Sequence, residues 1–331
     1  MVPEAVTLLI GIVIILFLAD VTIRESLRLA KHFRWSATFV GLTILSIGTS
    51  IPEIMTAVIG SIDILRDQAM KDTISGLVLG TNVGSDIFQQ SLILAVVGII
   101  GTITVIKEDL LSELGALIMG AVLMLLAALG GFINRLEGFI MLGTYLGYLF
   151  YLGQRQKRAN SLEKITKRKL NSGRLSKGRI TLEILIILGA FVIMGFTANQ
   201  VIKASTVLVA QLPISASFFG VILLGVASAL PELTTALIGV FRGNKEISSG
   251  VLIGSNVTNP LLGIGLGAFI SGYHVPNVIF LYDLPVKIGI AGLLFFFLYR
   301  KEKLGRWEAF VLIALFFMYL LFRQIYFPVD F

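Results

Sequence analysis

The feature that most constrains this chain is a series of apolar runs, each long enough to cross a bilayer as a helix. Ten can be marked, at roughly 3–21, 36–62, 73–100, 109–131, 136–153, 180–203, 213–241, 247–272, 277–299 and 305–326. About 20 residues in helical form span the hydrocarbon core, and lipid leaves a backbone no partner but itself. An outer-membrane barrel would show apolar residues alternating by twos, which these continuous runs do not. With 56% hydrophobic and 14% charged residues and a mean hydropathy of +0.91, the chain reads as an all-α polytopic membrane protein. The first run has neither a basic leader nor a small-residue cleavage site and is expected to be a retained span. It is expected to continue as an amphipathic helix through Ile23, Leu27 and Leu29, with Arg24, Arg28 and Lys31 on the opposite face.

Charge then orients the spans. The segment between the fifth and sixth runs carries Arg155, Lys157, Arg158, Lys164, Lys167, Arg168, Lys169, Arg174, Lys177 and Arg179 against one acid, Glu163. Such a segment stays in the cytoplasm. Five spans precede it and five follow, which puts both termini outside. Counted this way, Lys and Arg divide 21 inside against 5 outside, the five being Arg66, Lys71, Arg135, Lys203 and Arg323. Lys287 falls within the ninth span, four residues after Asp283, a spacing at which a helical pair is expected. The net charge of +7 belongs to these loops and calls for no nucleic-acid partner, although the basic segment could also serve as a nucleic-acid or regulatory surface. The expected organisation is a first five-helix repeat at 1–153, a basic linker at 154–179 and a second five-helix repeat at 180–331.

The two halves share a motif. Gly48-Thr49-Ser50-Ile51-Pro52-Glu53 near the end of the second span is echoed 179 residues later by Ala227-Ser228-Ala229-Leu230-Pro231-Glu232. Each is followed by a span carrying Gly-Ser and an amide four residues on: Gly84, Ser85 and Gln89, then Gly254, Ser255 and Asn259. Five spans per half give the halves opposite orientation, an inverted-topology repeat with a site between them near the midplane.

Acids inside a membrane are costly and usually functional. Pro52 and Pro231 lack the N–H that would serve the carbonyls of Gly48 and Ala227, so those carbonyls are left for another partner. Thr49 and Ser50 precede Glu53 by four and three residues, which would place all three on one helix face. Ser85 with Gln89, and Ser255 with Asn259, likewise share faces. Gly80, Gly84, Gly250 and Gly254 permit close helix approach or local unwinding. The sum is an all-oxygen cage suited to a hard cation such as Ca²⁺ or Na⁺. One Pro-Glu alone would equally describe a kink with a protonated acid. Asp86, about 100° around the helix from Ser85, either adds a third carboxylate or pairs with a neighbouring span. With no cysteine and only His32 and His274, both at span ends, zinc or copper chemistry has little to build on. No H-E-x-x-H or Asp-rich diphosphate motif is present, so neither an enzyme nor a resident cofactor is expected.

These residues resemble the calcium/cation antiporter (CaCA) superfamily, most nearly its small prokaryotic sodium/calcium exchangers. The resemblance covers nearly the whole chain, including the opening Gly305-Arg306-Trp307-Glu308 of the last span. It implies an antiporter with four cation sites between the repeats. Glu53 and Glu232 would bind Ca²⁺ with oxygens from Thr49 and Ser228. Ser50, Ser85 and Ser255 would serve Na⁺, and Gln89 and Asn259 would take the middle position. It also implies that the first and sixth spans slide against the other eight.

The chain departs from that pattern in three places. Ala229 replaces a hydroxyl. Gln89 and Asn259 are both amides where one repeat often has an acid. Thr81 and Val251 stand where the pattern has asparagine. Two motif carboxylates match one Ca²⁺ or two monovalent cations. The function that the resemblance implies is Ca²⁺ extrusion driven by inward Na⁺, expected in a prokaryotic plasma membrane. H⁺/Ca²⁺ or monovalent-cation exchange on the same fold is the alternative.

Overall fold

The computed structural model describes residues 2–101, 107–165, 176–209 and 216–327. Helical rods lie over all ten predicted runs: α1 (Val2–Phe33), α2 (Ala37–Thr49 continuing as Ile51–Arg66), α3 (Gln68–Ile100), α4 (Lys107–Ala127), α5 (Arg135–Ile165), α6 (Lys177–Val209), α7 (Ser217–Phe241), α8 (Lys245–Ser271), α9 (Ile279–Lys301) and α10 (Arg306–Tyr326). Among the described residues seven rods are long and apolar enough to cross a membrane, or eight when the two bent pieces of α2 count as one span. The chain is an integral membrane protein of this all-α kind.

Apolar residues cover the outside and polar residues gather within. Leu9, Phe17, Val192, Phe196, Phe310 and Leu321 are exposed, whereas Thr49, Glu53, Ser85, Asp86, Glu232 and Asn259 are fully or almost fully buried. This is the arrangement a bilayer selects, since lipid solvates the apolar faces and the bundle must satisfy the polar ones.

The core falls into two clusters. One joins Ile15, Ala19 and Ile23 of α1 to Ile187, Phe191 and Met194 of α6, and takes in Val40 and Leu45 of α2 and Ile247 and Val251 of α8. The larger one holds most of the buried side chains of α2–α5 and α7–α10. α1 is one continuous helix with Ile23 and Leu29 buried, as its amphipathic pattern predicts.

Close crossings set the inner four helices. A Cβ placed on Gly84 would stand 2.5 Å from the Cα of Val221, so α3 and α7 meet backbone to backbone. In the other half, a Cβ on Gly254 would stand 2.9 Å from the Cα of Leu42, fixing α8 against α2. The helices stay wound at these glycines, so close approach is the reason for them.

Loops assigned to one side of the membrane meet at one end of the bundle. A two-residue strand at Phe132–Ile133 pairs antiparallel with Tyr273–His274, and His274 Nδ1 lies 2.5 Å from Asp72. At the opposite end Gln156 accepts from Ser36, and Arg155 pairs with Glu113.

Three local expectations change. α5 runs on to Ile165 and α6 begins at Lys177, so the described parts of 154–179 are largely helical; Lys167, Arg168, Lys169 and Arg174 lie outside the described residues. Arg323, counted among the outer charges near the end of the tenth span, is fully buried, and its guanidinium grips Asp283 at 2.8–3.1 Å. Lys287 does not pair with Asp283; it pairs with Asp86. The wide helical turn at Ile279–Asp283 ends on Asp283, where Arg323 and the Tyr319 hydroxyl claim the carboxylate.

Candidate cation site

The site begins with two breaks of the same shape. Ser50 interrupts α2 at φ −79°, ψ 6°, and Ala229 interrupts α7 at φ −79°, ψ 2°. Each precedes a proline in the first turn of the helix that follows, where the missing N–H is tolerated. Each places its glutamate in that first turn, at the favourable positive end of the helix dipole.

Wide π-type turns recur at matching places as well. Gly41–Leu45 in α2 matches Gly220–Leu224 in α7, and Gln89–Ile93 in α3 matches Asn259–Ile264 in α8. Such turns often mark functional sites because they re-aim side chains. Here they open at both amides flagged by the repeat.

Glu53 and Glu232 are each fully buried. Each takes a serine from the following helix of its own half. Ser85 donates to Glu53 Oε1 at 2.7 Å, and Ser255 donates to Glu232 Oε1 at 3.4 Å. Each also takes oxygens from the opposite half. Ser50 donates to Glu232 at 3.2 Å, Thr49 lies beside Glu232, and Ser228 lies beside Glu53. The shared-face expectation for Thr49, Ser50 and Glu53 is thereby corrected. The break at Ser50 turns the hydroxyls away from their own glutamate and toward the other one. The match for Ser50 would be residue 229, and because that is alanine Glu53 lacks the corresponding hydroxyl.

A second crossing links α3 and α8. Asn259 Nδ2 donates to Asp86 Oδ1 at 2.8 Å, and Asn256 Nδ2 donates to Gln89 Oε1 at 3.2 Å. Gln89 also donates to Ser85 Oγ at 3.0 Å, so the predicted Ser85–Gln89 face forms. Asp86 and Asn256 occupy equivalent places, directly after the two motif serines. Asn256 accepts from Gln90 Nε2 at 2.7 Å, whereas Asp86 is ion-paired to Lys287. Among the described residues no three Asp, Glu, His or Cys side chains converge; Glu53 and Glu232 are two acids that interact across the repeats.

Several buried acceptors have no hydrogen-bond partner: Glu53 Oε2, Glu232 Oε2, Asn259 Oδ1, Asn82 Oδ1 and Gln90 Oε1. A buried acceptor left unpaired costs about 1–3 kcal/mol, and more if charged. A hard cation satisfies several such oxygens at once. Asn256, Gln90, Asn82 and Lys287 were not singled out as site residues from sequence. The signal for Asn256 was available in its place after Ser255, matching Asp86 after Ser85.

The model of the family described as sodium/calcium exchanger protein matches residues 4–154 and 182–324. The chain belongs to the sodium/calcium exchanger protein family. Curated proteins similar to it include the inner membrane protein YrbG of Escherichia coli, 27% identical over 85% of this chain and 84% of that one. The sodium/calcium exchanger MaX1 of Methanosarcina acetivorans is 27% identical over 95% of this chain and 96% of its own length. Among solved structures, the sodium-calcium exchanger NCX_Mj soaked with Na⁺ and Ca²⁺ superposes with a TM-score of 0.76 at 22% identity, covering 96% of this chain and 97% of that one. That likeness establishes the fold. This family member is a cation antiporter.

Proposed function

We propose that the protein exports Ca²⁺ from the cytoplasm in exchange for inward Na⁺, with Glu53 and Glu232 as ligands shared by both ions. The observation that carries this reading is the pair of fully buried glutamates, each with one carboxylate oxygen unpartnered. Thr49, Ser228 and the two carboxylates form the Ca²⁺ set. Ser50, Ser85, Ser255, Gln89 and Asn259 add oxygens for Na⁺. The kinship with a relative named as a sodium/calcium exchanger supports the choice of ions.

Exchange follows from sharing. One set of carboxylates cannot serve both substrates together, so occupancy by one excludes the other. An empty site with two bare carboxylates is costly to occlude, so the protein changes state only when the charges are matched. The α1–α6 pair, whose helices pack along each other, is the element that moves against the other eight. Nothing in this cycle needs a covalent step or a resident cofactor.

In this reading the ten rods are ten spans in two inverted five-helix repeats, 1–153 and 180–331. The basic segment 154–179 faces the cytoplasm of a prokaryotic cell, and both termini face outward. The cysteine-free sequence offers a clean background for single-cysteine labelling from either side, for instance at Ser36 and Asn134. Modification of both residues from the same side would refute the arrangement. For transport, ⁴⁵Ca²⁺ uptake into vesicles loaded with Na⁺, K⁺, choline or acid decides the counter-ion. Uptake that requires internal Na⁺ supports the reading. Uptake driven by an outward proton gradient without Na⁺ replaces it with proton exchange.

A further inference from the structure

We propose that the buried Asp86–Lys287 pair is a tethered counter-charge that holds the site at two negative charges and fixes Asn259 as an oxygen ligand. The proposal rests on the cation-site reading above and adds to it the number of ions the site accepts.

Three observations carry it. First, the pair lies inside the bundle and beside the site. Asp86 and Lys287 have side-chain exposures of 1% and 0%, and Asp86 follows Ser85, the serine that donates to Glu53. Asp86 also accepts from Asn259, and a charge buried there is poorly screened from its surroundings. Second, the pair orients an amide. Asn259 Nδ2 is committed to Asp86, which leaves Asn259 Oδ1 as a buried acceptor with no partner. With the nitrogen held, the group presents oxygen to a cation. Third, the opposite half builds the same crossing without charge. There Asn256 replaces the acid, donates to Gln89 and accepts from Gln90. The crossing of α3 and α8 is thus supported by amides alone in one half and by an ion pair in the other.

The consequence is arithmetic. Without Lys287, the buried Asp86 beside Asn259 would add an uncompensated charge to the two of Glu53 and Glu232, and a neutral bundle interior would call for three positive charges. With Lys287 built in, one of those charges is supplied by the protein and never leaves. One Ca²⁺ or two Na⁺ then neutralise what remains.

Equilibrium binding of ²²Na⁺ to the purified full-length protein tests this. K287Q is expected to bind one more Na⁺ per protein than the unaltered chain. D86N, which leaves the lysine unmatched beside the glutamates, is expected to bind one fewer. D86N/K287Q, which copies the amide arrangement of the other half, is expected to restore the original count. If K287Q does not fold, the contrast between D86N and the double variant decides. Unchanged counts in K287Q and D86N would overturn the proposal, as would a double variant that fails to restore the count. E53Q in the same assay separates the two levels of the argument. Loss of binding in E53Q with unchanged counts in the pair variants sinks the counter-charge alone. Unchanged binding in E53Q sinks the site reading and the counter-charge with it.

Discussion

The hydroxyl of Ser50 donates at 3.2 Å to Glu232, a residue 182 positions away in the other half of the chain. The equivalent hydroxyl for Glu53 is missing, because residue 229 is alanine. The two carboxylates are therefore not equal, although the breaks that position them differ by only a few degrees.

That inequality can be exchanged. A hydrogen bond to a charged group contributes about 1.5–3 kcal/mol. S50A removes the hydroxyl and is expected to weaken apparent Na⁺ affinity about tenfold or more. A229S adds the missing hydroxyl opposite Glu53 and is expected to strengthen it. Counterflow measured across a range of Na⁺ concentrations reads both. Equal affinities in S50A, A229S and the unaltered protein would show that neither position touches the cation.

Gly48 sits under the ring of Phe191 from α6; a Cβ at this position would stand 2.0 Å from the ring. G48A must push the ring aside, and with it the helix assigned to the moving pair. Transport by G48A is expected to fall by about tenfold or more, the scale on which small misplacements act. G48A/F191A, with the ring removed, is expected to regain much of it. A double variant as impaired as G48A would mean that the ring is not the obstacle.

Asp283 and Arg323 join α9 to α10, and the same guanidinium donates to Ser217 of α7 at 2.6 Å. Breaking a buried ion pair by removing one partner costs about 3–5 kcal/mol. R323A is expected to lower the unfolding midpoint in detergent sharply. D283A/R323A, with no uncompensated charge, is expected to be less destabilised than R323A alone. If the double variant is the worse of the two, the pair contributes more than charge compensation.

Much of this molecule is visible in its sequence. Helices lie over all ten apolar runs because lipid permits few other backbones, and the Pro-Glu and Gly-Ser motifs locate Glu53, Glu232, Ser85 and Ser255 together. What the sequence hides is which helix each side chain serves. Local spacing put Ser50 with Glu53, but the break between them sends its hydroxyl across the repeat interface. Local spacing also put Lys287 with Asp283. That rule ignores the third dimension, in which α9 lies close enough to α3 for the lysine to reach Asp86. Asn256 is legible only through its place after Ser255, because its partners Gln89 and Gln90 are 167 and 166 residues away.

The most direct measurement is Na⁺-driven ⁴⁵Ca²⁺ uptake into proteoliposomes by the unaltered protein, E53Q and E232Q. Each substitution keeps the shape of the side chain and removes a charge from the shared site. The account predicts uptake by the unaltered protein that depends on internal Na⁺, and none by either variant in a folded, reconstituted state. Robust Ca²⁺ uptake by E53Q or E232Q would contradict it, because the cation would then be held without the two carboxylates that the fold brings together.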